Sequence, residues 1–359
     1  MTRRGFRVLC LLTLAAVAGA VAVQVAQPAP DRPTLDGEKV FPALAGRLDA
    51  VARIAVTTPE GGFTLVREGG REGNGWIAAS AGGYPAREDR INALLVELSA
   101  LELLAPKTAR PALYSRLGVA PPESSGAQSR RVTLYDRDGA VLADLIVGKQ
   151  RHTRTGRRDQ GTYVRRPDSA RAYLAAGLID LSDTVYPWLD SLVLDIAPER
   201  VRRVEITRPG GGRLLAIRPE RGAPAMGLAG LSRGDRPDVA EVRKLPRVLE
   251  GVRFDAVRRR ESVSLPAPRA VAEVATFDGL RVRLRVYRHA GADWLTLTAR
   301  AGDGQAGDGQ AQDGATARTD AARLTRRGAG WRYEGWAYKV APYLAERLSQ
   351  SLPDLLVQE

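Results

Sequence analysis

Two stretches of this chain, 150 residues apart, carry nearly the same pattern, and this repetition restricts the fold more than any other feature. Val51-Ala-Arg-Ile-Ala-Val-Thr-Thr-Pro-Glu-Gly-Gly62 aligns with Val201-Arg-Arg-Val-Glu-Ile-Thr-Arg-Pro-Gly-Gly-Gly212, and six of the twelve positions are identical. Each stretch alternates apolar and polar residues, reaches a Pro/Gly turn and resumes with apolar residues: Phe63 and Leu65 in the first, Leu214, Leu215 and Ile217 in the second. Period-two alternation broken by such a turn predicts a β-hairpin. A chain that repeats a supersecondary unit is expected to fold as two related units.

Later elements recur in the same order. Ile91, Leu94, Leu95, Leu98, Leu101 and Leu104 follow helical spacing after the Gly82-Gly83-Tyr84-Pro85 turn. Asp238 to Val252 offers a counterpart, with Val242, Leu245, Leu249 and Val252 on one face and Pro246 interrupting it. Strand pairs follow at Val132–Gly139 with Val141–Val147, and at Val274–Gly279 with Leu280–Tyr287. Each copy closes on a tyrosine-bearing segment expected to be helical, Ala170–Leu174 and Val340–Leu348. The expected architecture is α+β: two tandem sheet-plus-helix units over residues 51–197 and 198–357. A low-complexity insertion at 301–322, in which Ala-Gly-Asp-Gly-Gln occurs twice, has no apolar stripe and is expected to be disordered.

At the amino end, Arg3, Arg4 and Arg7 precede Val8–Ala26, a 19-residue run without a charge. A helix of that length rises about 28 Å, close to the ~30 Å hydrocarbon core of a bilayer. Basic residues before the run orient it with the N-terminus in the cytoplasm. Residues 1–27 are therefore expected to be a cytoplasmic tip and membrane anchor, and the Pro-rich residues 28–50 a spacer and lead-in. The small residues around Ala18–Ala22 leave a cleaved signal peptide open. Both alternatives place the bulk of the chain outside the cytoplasm, the anchored one as a single-pass inner-membrane protein.

Composition removes several classes. One Cys excludes an intramolecular disulfide framework and a Cys-rich zinc module, and two His leave little for a metal site. Of 54 basic residues only five are Lys, a bias that a GC-rich genome would produce, so the net charge of +13 is not by itself a nucleic-acid signature. No cofactor, metal site or nucleic-acid partner is expected. Gly230-Leu-Ser232-Arg-Gly234 matches the nucleophile elbow of hydrolases, with Asp235 and His289 following in triad order. The preceding residues make a poor strand, however, and Asp235 is too near in chain. Gly302-Asp-Gly304-Gln-Ala-Gly307 matches a phosphate loop but leads into no apolar helix. His152 sits in a very basic loop without an acid partner, and Asp136 and Asp138 belong to a turn sequence. Trp76, Tyr84, Tyr163, Trp188, Trp331 and Trp336 are expected to pack cores.

One pattern invites an anionic partner. Leu280-Arg-Val-Arg-Leu-Arg-Val-Tyr287 alternates strictly, so as a strand it sends Arg281, Arg283 and Arg285 to one face, about 6.5–7 Å apart. Three aligned cations repel unless something answers them.

An ordered set of motifs completes the picture: Gly75-Trp76, Gly83-Tyr84-Pro85-Ala86, Pro106-Lys107-Thr108, Tyr114-Ser-Arg-Leu-Gly-Val119, Asp144-Leu-Ile-Val-Gly-Lys149, Gly161-Thr-Tyr-Val-Arg-Arg166 and Trp188-Leu-Asp190. It resembles the bacterial domain-of-unknown-function family 4340. That resemblance implies an envelope protein with one N-terminal membrane helix, linked to auxiliary components of gliding-motility-type ABC transporters, and it carries over no catalytic residue. No G-x-x-x-x-G-K-[ST] occurs, so ATP hydrolysis would fall to a partner. The expected function is a non-enzymatic accessory protein of an ABC-type transport system. The alternatives are a binding module for anionic envelope polymer or lipid headgroups, and a serine hydrolase.

Overall fold

The alternation in the first repeat folds as written. β1 (Arg53–Thr58) turns Ile54, Val56 and Thr58 inward and pairs with β2 (Gly61–Arg67), Thr58 standing opposite Gly61 across a two-residue turn. Only glycine fits at position 62, because a Cβ there would lie 2.2 Å from the carbonyl oxygen of Val56. The computed structural model from which this description is drawn describes residues 37–68, 75–152, 160–301, 316, 318–320 and 334–357.

The first sheet continues with β3 (Trp76–Ala78), β4 (Tyr84–Pro85), β5 (Leu103–Pro106), β6 (Arg130–Tyr135), β7 (Val141–Arg151), β8 (Gly161–Arg165) and β9 (Ala172–Ala176). A short β10 (Leu192–Leu194) leads to β11 (Val201–Thr207), β12 (Arg213–Ile217), β13 (Gly227–Leu228), β14 (Val252–Arg253), β15 (Ala256–Arg259), β16 (Ala270–Thr276), β17 (Leu280–His289), β18 (Ala292–Ala301) and β19 (Trp336–Val340). Strand order is β4-β3-β2-β1-β6-β7-β8-β9-β5 in one sheet and β13-β12-β11-β16-β17-β18-β19-β15 in the other, antiparallel throughout. Apart from β4 the two orders are the same. The repeat seen at the first hairpin therefore extends through an entire sheet.

Helices are few. α1 (Glu88–Ala100) buries Ile91, Leu94, Leu95 and Leu98; α2 (Tyr114–Leu117), α3 (Val239–Val242) and α4 (Pro342–Arg347) are one or two turns each. Pro246 stops the second expected helix: α3 gives way to a 3-10 turn at Leu245–Leu249, since proline cannot donate to the preceding turn. The segment expected as a helix at Ala170–Leu174 is instead largely strand β9, because Ala172, Leu174 and Ala175 are buried in the sheet between β8 and β5. The α+β expectation is thus corrected to a mostly antiparallel β architecture. The membrane helix is corrected as well: among the described residues no helix is long and apolar enough to cross a membrane. The inner-membrane placement falls with it, and the apolar run 8–26 and the spacer's prolines lie outside the described residues. So does most of the expected insertion, of which 301, 316 and 318–320 are described.

The inner faces of both sheets, α1 and the Leu245–Leu249 turn share one core. Trp76, Tyr84, Trp188 and Trp336 are buried in it as expected, Tyr163 is half-buried, and Trp331 lies outside the described residues. The chain also crosses between units at β10, which pairs with β14, and Phe254 N–H donates to the Ser191 carbonyl at 3.1 Å. The densest junction is aromatic. Tyr84, fully buried, meets Trp336, Phe254 and Tyr338 edge-on, with ring centroids 5.0, 5.3 and 6.3 Å away. Arg259 closes this cluster: its Nε donates to the Gly82 carbonyl at 2.8 Å, and its guanidinium lies 4.2 Å from the Trp336 ring centroid. Gly82 has φ +70°, and a Cβ there would come within 3.0 Å of Arg259 Cγ.

Each sheet also carries a small outer core. Tyr114, Val119, Ile146 and Ala172 form one; Val263, Tyr287, Trp294 and Ala337 form the other. Strand pairing makes Ala172 equivalent to Ala337 and Tyr163 to Trp294, so both caps occupy the same place in the repeat. Replacing Arg259 by Ala removes a charged hydrogen bond and a cation–π contact between units. It is expected to cost about 2 kcal/mol in urea denaturation, with the m-value unchanged.

Candidate functional site

The outward residues of the second sheet form a continuous polar surface. β17 alternates as its sequence dictates: Leu280, Val282, Leu284 and Val286 are buried, while Arg281, Arg283 and Arg285 share the opposite face. Cross-strand pairing decides what each arginine meets. Arg283 stands opposite Glu273 on β16, and its guanidinium reaches that carboxylate at 2.6 Å. Arg281 stands opposite Ala275 on one side and opposite Arg300 of β18 on the other. Arg285 stands between Val271 and Thr296. Among the described residues, Arg281, Arg285 and Arg300 have no carboxylate within ion-pair distance. The ladder expected from sequence is thus present as geometry, but its middle rung is already neutralised and a fourth arginine joins its end.

Further along the face, Arg203 and Arg213 grip Glu205 at 2.6 and 2.5 Å. The hydrogen bond from Arg203 holds the Glu205 carboxyl below its ordinary pKa; partial burial opposes this less strongly and Arg213 adds to it. Among the described residues of β11, β12, β16, β17 and β18, six arginines therefore share this face with two glutamates, a surplus of four positive charges, and Arg258 of β15 and Lys339 of β19 lie on the same face. Like charges placed directly opposite destabilise a strand pair, so Arg281 and Arg300 are a feature that folding alone does not favour.

The turn feeding β17 is fastened by ions. Asp278, its side chain only 3% exposed, accepts from Arg200 at 2.5 Å, and Arg200 also reaches Asp320 at 2.8 Å. Burial pushes the Asp278 carboxyl up, but hydrogen bonds from Arg200 and Thr276 and the charge of Arg200 outweigh it and leave its pKa below the ordinary value.

A concave feature of about 600 Å³ lies under α4, lined by Arg208, Lys244, Arg269 and Arg347 among others. Its cations have partners in or beside its walls. Lys244 reaches Glu241 at 2.6 Å, Arg208 reaches Asp354 at 3.8 Å, Arg269 reaches Asp293 at 3.5 Å, and Arg347 lies over Tyr343. The sheet face is the less compensated of the two.

The residues that suggested hydrolase chemistry are not assembled. Ser232 sits in an exposed loop after β13, where its backbone N–H donates to Asp235 Oδ2 at 2.7 Å, a turn contact. His289 ends β17, and among the described residues no hydrogen bond joins it to Ser232 or Asp235. His152 is exposed beyond the end of β7, and the Asp136 carboxylate accepts from the backbone N–H of Asp138 and Ala140, as a turn residue does. The 302–307 glycine motif lies outside the described residues. Among the described residues no group of three or more His, Cys, Asp or Glu is placed to hold a metal ion.

A family model described as a domain of unknown function (DUF4340) matches residues 76–267. The chain belongs to that family. The matched span runs from β3 through α1, the β10–β14 link and β15, so the family region contains Tyr84, Phe254 and Arg259 of the junction between the two sheets and ends just before β16. No curated protein shows significant similarity to the chain. Within this family member, Arg300 and the Glu273–Arg283 pair are the site features that sequence reasoning missed. The alternation Trp294-Leu-Thr296-Leu-Thr298-Ala-Arg300 carried the face of Arg300, but nothing in it carried the register that sets Arg300 against Arg281.

Replacing Arg200 by Met leaves Asp278 buried without its cation, and a loss of about 3 kcal/mol is expected in urea denaturation. Asp278 to Asn is expected to cost less, because Arg200 is partly exposed and keeps Asp320. A depressed carboxyl pKa contributes stability above its unfolded value and loses it as pH falls through the folded one. The wild-type advantage over D278N should therefore be full above about pH 5 and shrink below about pH 4.

Proposed function

We propose that this family member is a non-enzymatic accessory protein that docks a partner through the outer face of its second sheet. The partner proposed is an ABC-type transport assembly, the association that the family resemblance suggests. The observation that carries the docking is the direct opposition of Arg281 and Arg300 on an exposed face where, among the described residues, arginines outnumber carboxylates. An arrangement that costs stability in the free chain gains its reason when an anionic surface covers it. Ser232 meets Asp235 through its backbone in one exposed turn, and His289 lies on β17 without a hydrogen bond to either among the described residues, which weighs against the serine hydrolase alternative. The chain's lack of a phosphate-binding G-x-x-x-x-G-K-[ST] motif assigns any nucleotide hydrolysis to the partner.

The same charge surplus favours a second reading, a binding module for anionic polymer or lipid headgroups. Salt separates the two. A polymer or headgroup complex held by charge alone weakens steeply as ionic strength rises, whereas a protein assembly with a packed interface survives it.

Affinity purification of the full chain from its own cells, with co-purifying proteins identified, tests the assignment. Transport subunits should co-purify at about 0.15 M salt, and R281S/R285S should reduce their yield about tenfold while the protein stays folded. Retention of the same subunits by R281S/R285S would remove this face from the interaction. In the cell, S232A, H152A and H289A should each leave function intact. Loss of function in any one of them at normal abundance would return the chain to the enzymes.

A further inference from the structure

The two sheets treat one equivalent place in opposite ways, and the difference specifies what the second one takes. Strand pairing sets Asp144 and Ile146 of β7 where β17 has Arg283 and Arg285. In the first sheet that place is filled by the chain itself. The connection from β5 to β6, residues 107–129, folds over it and buries Ile146 beneath Tyr114 and Val119. Gly148 permits the contact, since a Cβ there would lie 2.5 Å from the Leu117 carbonyl oxygen. Arg165 fastens the cover, donating to the Val119 carbonyl at 3.1 Å and lying 4.5 Å from the Tyr114 ring centroid. Asp144 beside it is neutralised by Arg131 at 2.8 and 2.5 Å.

In the second sheet the equivalent connection, from β15 to β16, is only residues 260–269. It covers Tyr287 and Trp294 with Val263 and Leu265. Arg285, standing where Ile146 is roofed, is half-buried, and among the described residues Arg281 and Arg300 beyond it are exposed. An arginine at the position of a buried isoleucine rules out an apolar loop of the first sheet's kind. Alternate residues of β17 are about 6.5–7 Å apart, which is also the spacing of same-side residues in an extended peptide.

Resting on the docking reading above, we propose that this strip receives an acidic segment of a partner protein in extended conformation. Carboxylates on alternate residues of that segment meet Arg281 and Arg300 at one end and Arg285 at the other, and pass over the Arg283–Glu273 pair between them. The segment takes the place that residues 107–129 fill in the first sheet, with charge replacing apolar contact.

The test uses the full chain and a fluorescein-labelled octapeptide of alternating Glu and Ser, followed by fluorescence anisotropy at about 50 mM salt. Alternating Lys-Ser peptide and vesicles of phosphatidylglycerol serve as comparisons. Saturable binding of the Glu-Ser peptide and none of the Lys-Ser peptide is expected. R281S/R285S/R300S should weaken it about tenfold or more, while the charge-matched R116S/R137S/R233S changes it less than about twofold. Circular dichroism and thermal melting of both variants confirm that they are folded. Equal weakening by the two triple variants would reduce the effect to net charge and overturn the proposal. Vesicle binding that depends on the strip, without peptide binding, would assign it to headgroups and overturn it likewise. Failure of the peptide together with loss of co-purifying subunits in R281S/R285S would end this inference alone; failure of both measurements would end the docking reading too.

Discussion

Tyr84 has no exposed surface, and its ring is shared by two sheets that the chain builds more than 150 residues apart. It leaves the first sheet at β4 and lands among Phe254, Trp336 and Tyr338 of the second unit, with Arg259 bonded across the junction to the Gly82 carbonyl. Aromatic edges packed at about 5 Å gain more than their buried area alone supplies, and they fix orientation as well as distance. Everything else about the relation of the units follows this seat. The β10–β14 pairing, the shared core and the left-handed glycine at 82 are consistent with one placement of sheet against sheet.

The repeat explains how so large a sheet architecture comes from a simple plan. Each unit lays its first hairpin in the middle of the sheet, adds a second antiparallel run on one side, and returns a distant strand to the far edge: β5 in the first, β15 in the second. The same Pro/Gly residues serve the two hairpins differently. In the first they make a two-residue turn between Thr58 and Gly61; in the second, Thr207 and Arg213 flank a longer loop in which Gly210 and Gly211 take positive φ. Duplication thus preserved the strand faces while the connections diverged, and it is in the connections that the units acquire different outer surfaces.

Charge on those surfaces is arranged rather than spread. In the first sheet Arg131 and Thr133 hold Asp144, and Arg53 lies 3.6 Å from the Tyr135 ring centroid, so cations there are answered locally. In the second, the answering carboxylates Glu205 and Glu273 occupy one stretch of the face, and Arg281, Arg285 and Arg300 have no carboxylate partner among the described residues. A composition rich in arginine accounts for how many there are. It does not account for two of them standing opposite each other on adjacent strands.

The amino-acid sequence by itself determined what is local. Alternation set the faces of β1, β11 and β17, the Pro/Gly and Asp/Gly pairs set the turns, and the leucine spacing set α1, because each depends on residues within a few positions of one another. It also carried the family, through an ordered set of motifs that runs along the first unit from Gly75 to Asp190. Pairing over long separations was beyond it. Ala170–Leu174 holds small and apolar residues that suit a helix as well as a strand, and only the open edge of β8 made most of it β9. The balance of sheet over helix, the opposition of Arg281 to Arg300, the neutralisation of Arg283 by Glu273 and the seat of Tyr84 were likewise decided by tertiary structure. Register and packing join residues whose separation in the chain leaves no periodic trace, and a slip of one residue in any ladder would have sent every one of those side chains to the other face.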